Sequence, residues 1–292
     1  MRPRAFEYYA PTSLNEALDL LHSKEDAKIL AGGQSLVSMM KLRLASPKNL
    51  IDINGLSQLS NIHEEDGAII IGALIRHDQL ANSVLIQEKL PLIADAANVI
   101  GDQQVRNRGT IGGTLAHADP NADLPVAVFA SHGTIIVASA KAVRRVKCSD
   151  FFVDFFTTAL SQNELITEIE IPTPMPCNGS AYLRLTKGHN DFALLSAAAQ
   201  ITIDKEGMCN SASLALGGVA SIPRHATAAE EVLMHNKIDD ALIEHAAEKA
   251  AEGSSPASDV HGSAEYKLKM AVALTQRAIK TSMKRAIVGP RN

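Results

Sequence analysis

"VRNRGTIGGTLAHADPNADLP", residues 105–125, crowds three glycines and two prolines among its charges and reads as too irregular for a helix or a strand. "KILAGGQSL", residues 28–36, makes a similar break after a short apolar run. A glycine pair permits positive φ and lets a ligand approach the main chain with no Cβ in the way, so successive amides can converge on an anion. Gly32 and Gly33, with Gln34 and Ser35 at a predicted helix start, offer such a nest. "GTIGGT" adds the hydroxyls of Thr110 and Thr114 to the backbone donors of Gly112 and Gly113. Two such loops could hold a diphosphate without a lysine, although a glycine pair taken alone reads more readily as a tight turn. Neither matches GxxxxGK[ST] or GxGxxG with its later acidic residue, which disfavours the ordinary nucleotide folds.

"HADPNAD" can also be read as metal chemistry, with His117, Asp119 and Asp123 as an N,O ligand set. Asp119 before Pro120 can instead simply start a turn. Asp123 has a further option, since a carboxylate beside a diphosphate needs donors such as sugar hydroxyls.

The 292 residues are 46% hydrophobic and 21% charged, an ordinary globular composition long enough for two or three domains. No apolar run approaches the roughly 18 residues of a membrane span, and the N-terminus has no apolar signal region, so a cytoplasmic protein is expected. A net charge of −4 with interspersed signs and no Trp makes nucleic acid a poor partner. Cys148, Cys177 and Cys209 lie far apart without a CxxC pair, so neither an iron–sulfur cluster nor a zinc site is expected in this chain.

Ser13 and Glu16 form a capping-box pattern before Leu14, Ala17, Leu18 and Leu21 at helical spacing. "AKIL", the glycine turn, "LVSMMKLRL" and "NLIDI" then read as a compact β-turn-α-β unit. "GAIIIGAL", "GTIIVAS" and "ELITEIEI" read as strands, with helices near "RHDQLANS" and "PLIADAANVI". "IPTPMPCNGS", residues 171–180, reads as a domain boundary. Beyond it three strands, "AYLRLTK", "LSAAAQITID" and "SASLALGGV", precede helices near 225–235, 239–252 and 263–285, an α+β arrangement.

"AGGQSL", "VRNRGTIGGTLAHADPNADLP", "FFTTALSQNELITEIEIP" and "ALGGVASIPRHATAAEEVL" together resemble the FAD-binding medium subunit of molybdenum hydroxylases, the family of xanthine dehydrogenase, carbon monoxide dehydrogenase and quinoline oxidoreductase. The similarity runs in order from about residue 3 to 285. It implies a PCMH-type (vanillyl-alcohol-oxidase-like) FAD domain over residues 1–177, with subdomains of about 1–56 and 57–177. A C-terminal domain, 178–286, would carry a three-stranded antiparallel sheet and helices. It also implies non-covalent FAD, a large molybdopterin subunit, a small subunit with two [2Fe-2S] clusters, and a dimer of heterotrimers. Electrons would pass from molybdenum through the clusters to FAD and on to an external acceptor.

Carried over residue by residue, the resemblance implies that Lys28, Ile29, Leu30, Ala31, Gly32, Gly33, Gln34, Ser35 and Leu36 line the FAD, with Ala31 to Ser35 donating to its diphosphate. On the same resemblance Thr110, Ile111, Gly112, Gly113 and Thr114 should form the second loop, Ile100 and Gly101 should lie near the ring, and Asp123 near the cofactor. Ile169 and Lys187 align with flavin-edge contacts, though they also read as a strand-core residue and a surface charge. Thr114 stands where many relatives carry Asn, and Gln34 where some carry the His of a histidyl-linked flavin. The inserted cysteine segment of the benzoyl-CoA-reductase branch is absent, so no extra [4Fe-4S] cluster is expected. Such chemistry needs no general acid, base or nucleophile from this chain. His77, His189 and His225 read as turn, cap or surface residues. Two competing readings are a stand-alone flavin oxidoreductase, such as a relative of UDP-N-acetylmuramate dehydrogenase, and a cofactor-free scaffold.

Overall fold

In a computed structural model, which describes residues 2–188 and 190–288, the apolar spacing of the N-terminal segment becomes a small parallel layer. Its elements are β1 (Glu7–Tyr9), α1 (Leu14–Ser23), β2 (Ala27–Leu30), α2 (Leu36–Leu42) and β3 (Asn49–Asp52), with strand order β1-β3-β2. Ser13 Oγ accepts the Glu16 amide, while the Glu16 carboxylate reaches back to the Thr12 amide at 2.8 Å. This orients α1 so that Ala17, Leu18 and Leu21 are buried.

The next unit runs through β4 (Ile62–Glu65), β5 (Ala68–Gly72), α3 (His77–Asn82), α4 (Val84–Lys89), α5 (Pro91–Asn98), α6 (Gln103–Arg106), α7 (Ile111–His117) and α8 (Asp123–Ala130). It closes with β6 (Thr134–Ala138), β7 (Val143–Lys147), α9 (Cys148–Phe151), the hairpin β8 (Phe152–Asp154) and β9 (Thr157–Thr158), and β10 (Leu165–Pro172). β10 occupies the centre of an antiparallel sheet ordered β4-β5-β10-β6-β7, which explains its buried isoleucines.

The last unit comprises β11 (Asn178–Leu185), β12 (Leu195–Ile203), β13 (Cys209–Gly217), β14 (Arg224–His225), α10 (Thr227–Leu233), α11 (Asp240–Ala250) and α12 (Ala264–Val288). Its sheet is an antiparallel meander, β11-β12-β13-β14; the expected three strands are joined by a fourth, two-residue edge strand. Alternate residues serve different cores. Ala197, Ala199, Leu214 and Leu216 face the C-terminal helices, whereas Tyr182, Ala198 and Ala215 join the core of the preceding unit.

The stretch expected to be irregular holds two helices. Thr110 caps α7, and every residue of α8 is buried, so α8 forms an apolar rod packed between the units.

Candidate functional site

The two glycine motifs meet. Gly32 lies directly on the Arg108 carbonyl and 2.9 Å from the Gly109 Cα, measured from where a Cβ would stand, and Gly113 faces the Ala31 methyl. Gly33 adopts φ of +75°, which turns the chain from β2 into α2. Among the described residues, no acceptor of the chain pairs with the amides of Gly32, Gly33, Gln34 and Ser35. Ser35 precedes α2 without capping it. These amides, on a loop with little side-chain bulk, suit an anionic group such as a diphosphate.

The second motif has a different part. The amides of Ile111 and Gly112 donate to the carbonyls of Ile75 and Ala73, each at 3.0 Å, and that of Gly113 to Thr110 Oγ at 3.2 Å. The Thr114 amide donates to the Thr110 carbonyl, so the expected donors of this loop are committed within the fold. Thr110 itself is only 2% exposed. A Cβ at Gly112 would press on Ala73, so this glycine allows α7 to lie against the chain leaving β5.

His77 is buried rather than at the surface. Its Nε2 lies 2.9 Å from Thr114 Oγ1, Gly109 lies against its ring, and its Nδ1 has no partner among the described residues. Burial, aided by Arg76 and Arg106 and opposed by the Thr110 backbone, pulls its pKa down to about 4 and keeps the ring neutral. Ile100 and Gly101 precede α6, and both carbonyls accept from Arg106. Lys28 is exposed on β2, while Ile29, Leu30 and Leu36 are half-buried.

The residues of "HADPNAD" diverge. The His117 ring meets Phe156 at 5.1 Å, Asp119 accepts the Asn121 amide, and Asp123 turns inward. Among the described residues no three His, Cys, Asp or Glu side chains are arranged to hold a metal.

The model of the FAD binding domain in molybdopterin dehydrogenase matches residues 4–174, and that of the CO dehydrogenase flavoprotein C-terminal domain matches residues 180–282. This chain belongs to the FAD-binding subunits of the molybdenum hydroxylases. It is 38% identical to the carbon monoxide dehydrogenase medium chain of Hydrogenophaga pseudoflava, over 98% of this chain and 99% of that one. It is 37% identical to the alpha subunit of the 6-hydroxypseudooxynicotine dehydrogenase complex of Paenarthrobacter nicotinovorans, over 98% and 97%. The solved structure of quinoline 2-oxidoreductase from Pseudomonas putida 86 superimposes with a TM-score of 0.94 at 35% identity, covering 98% of this chain and 100% of that one.

As a medium subunit of this family, the chain is the flavoprotein component of an oxidoreductase and its cofactor is FAD; molybdenum and iron–sulfur cofactors belong to other subunits. The free-amide loop fits the diphosphate of that cofactor. Asp123, expected beside it, is 4% exposed, and its carboxylate accepts from Tyr182 Oη at 2.8 Å and Arg184 at 3.3 Å. Burial pushes its pKa up against the opposing pull of Arg184 and Tyr182. Ile169 is fully buried in β10 between Ile71 and Ile135, and Lys187 is exposed in the turn after β11. His225 pairs with Glu230 at 3.1 Å, while His189 lies outside the described residues. The composition around His77 held no signal of its burial beneath Thr114, because both its neighbours come from the second motif more than thirty residues on.

Proposed function

We propose that this chain is the electron-transfer subunit of a molybdenum hydroxylase, receiving electrons from [2Fe-2S] clusters of a small subunit and passing them through FAD to an external acceptor. The carrying observation is the Ala31–Ser35 loop, in which the Gly32 to Ser35 amides have no acceptor among the described residues and which lies against the chain entering the second glycine motif. FAD supplies redox chemistry when bound; the chain's residues bind and orient it and exclude side reactions. Gly32 lets the loop lie on the Arg108 carbonyl and Gly33 turns it at a φ of +75°, the loop amides would donate to the diphosphate, and neutral His77 fixes the Thr114 hydroxyl at the adjoining helix. Three separated cysteines give the chain no four-cysteine set, in keeping with clusters on a partner.

The same reading places a PCMH-type domain at 1–177 and the second domain at 178–286, a large molybdopterin subunit beside the small one, and a cytoplasmic dimer of heterotrimers. No helix among the described residues is long and apolar enough to cross a membrane. The purified full chain should show oxidised-flavin absorption after addition of FAD, and should become reduced by an organic substrate only with both partner subunits present. Substrate-dependent reduction of the isolated chain would replace this reading with a stand-alone oxidoreductase. No flavin bands even with added FAD would replace it with a scaffold.

A further inference from the structure

Side chains outside both glycine motifs fasten the two loops to one another. Asn54 Nδ2 donates to the Ala31 carbonyl at 2.8 Å, and Asn54 Oδ1 accepts from Arg76 Nη2 at 2.6 Å. Arg76 Nη1 in turn donates to the Arg108 carbonyl at 2.5 Å. That carbonyl is the one on which Gly32 lies, so the circuit closes through van der Waals contact. The bridge thus joins the carbonyl before the first diglycine to the chain entering the second.

The bridge is itself held in place. Asp52 Oδ1 accepts both the Asn54 amide at 2.9 Å and its side-chain nitrogen at 2.6 Å, while Asp52 Oδ2 accepts from Tyr8 at 2.7 Å. The Arg76 amide donates to Gln79, and Arg76 forms a backbone bridge with Thr110. Burial of Asp52 opposes its charge, but the Asn54 and Tyr8 hydrogen bonds and the nearby Arg108 hold its carboxyl below the usual range. Asn54 therefore cannot rotate without breaking the Asp52 or Ala31 contact. The planar guanidinium suits this place because it meets two acceptors in different directions with a fixed fork, which an ammonium cannot reproduce.

We propose that Asn54 and Arg76 are positioning residues that preset the spacing of the two loops, so that the Ala31–Ser35 amides face the cofactor diphosphate before it arrives. This rests on the FAD reading above. Ordering a loop during binding lowers affinity, and a loop ordered in advance avoids that cost.

The test is titration of the full-length apoprotein with FAD, comparing wild type, Arg76→Lys, Asn54→Ala and the double variant. Each single change should weaken FAD binding by about tenfold, the effect of losing roughly 1.4 kcal/mol. The double variant should bind no worse than the weaker single one, because both cut the same bridge. Calorimetry should show a more unfavourable entropy of FAD binding in all three, because the loop is then ordered only as FAD binds. Wild-type affinity in Arg76→Lys and Asn54→Ala would overturn the proposal, as would losses that simply add. A lowered melting temperature with unchanged FAD affinity of the folded protein would also overturn it, showing only a structural role. If Arg76→Lys fails to fold, Asn54→Ala cuts the bridge from its other end and decides the matter. Failure of wild type to bind FAD would refute the cofactor reading and the proposal with it, whereas wild-type binding with unaffected variants refutes the proposal alone.

Discussion

At the residue scale, Asp123 shows how burial redirects a carboxylate. Its two oxygens are taken by Tyr182 and Arg184, residues of β11 that lie 59 and 61 positions further along the chain. The ion pair is well shielded, with side-chain exposures of 11% for Arg184 and 5% for Asp123. Removing the carboxylate leaves the buried Tyr182 hydroxyl without its acceptor and takes one partner from Arg184, so Asp123→Ala should cost roughly 1–3 kcal/mol of stability. Tyr182→Phe, which removes one hydrogen bond and keeps the ring, should cost only about 0.5–1.5 kcal/mol. Urea unfolding of the two variants checks this. Were Asp123 chiefly a ligand for a cofactor hydroxyl, Asp123→Ala would keep wild-type stability and lose FAD affinity instead.

At the element scale, the two diglycines part company. Gly33 turns a loop whose amides are free, and its Cβ would stand 3.1 Å from Val37 and 3.2 Å from Leu30 at a φ of +75°. Gly112 sits in the first turn of α7 and packs on the Ala73 backbone. Gly33→Val therefore imposes strain of roughly 1–2 kcal/mol on the loop and should lower FAD affinity by about tenfold or more while the far-UV spectrum survives. Gly112→Val should act first on the apoprotein, costing roughly 1–3 kcal/mol by overpacking. Thermal melting and FAD titration, run side by side on both variants, separate these effects; an unchanged melt for Gly112→Val would contradict the packing assignment. The same element explains why residues 105–125 look irregular in sequence. Glycines in the first turn of α7 are supported by the Thr110 cap, and Pro125 stands in the first turn of α8, where its missing N–H breaks no helical bond.

At the scale of the whole molecule, the unit of the five-stranded sheet and the C-terminal unit share one hydrophobic interior. Tyr182, Ala198 and Ala215 from the C-terminal sheet belong to the same core as Ile71, Ile135 and Ile169 of the five-stranded sheet. Ser213 Oγ donates to the Ala130 carbonyl at 2.7 Å, and Arg285 near the end of α12 pairs with Asp95 of α5 and donates to the Ser180 carbonyl. A large apolar joint of this kind couples the stability of its two sides. Thermal unfolding of the apoprotein followed by circular dichroism should therefore show one cooperative transition, and Arg285→Met should move its midpoint down without splitting it. Two well-separated transitions in wild type would show that the units unfold independently.

The chain's sequence by itself determined the strand and helix types wherever apolar periodicity was strong, as in α1, β5, β10 and the three long C-terminal strands. Local glycine chemistry was also enough to mark the two motifs and, by resemblance, the FAD family. Short edge strands escaped this reading: β7, "VRRVK", has a single buried residue and no alternation to reveal it. Only the tertiary structure decided which amides remain free, because Ala73 and Ile75 reach the second motif from the chain after β5. It likewise decided that Asp123 serves the joint between units and that Asn54 and Arg76 tie the loops together. Sequence patterns report which face of an element is apolar, whereas the partner of a buried polar group is fixed by sheet register and by contacts across tens of residues.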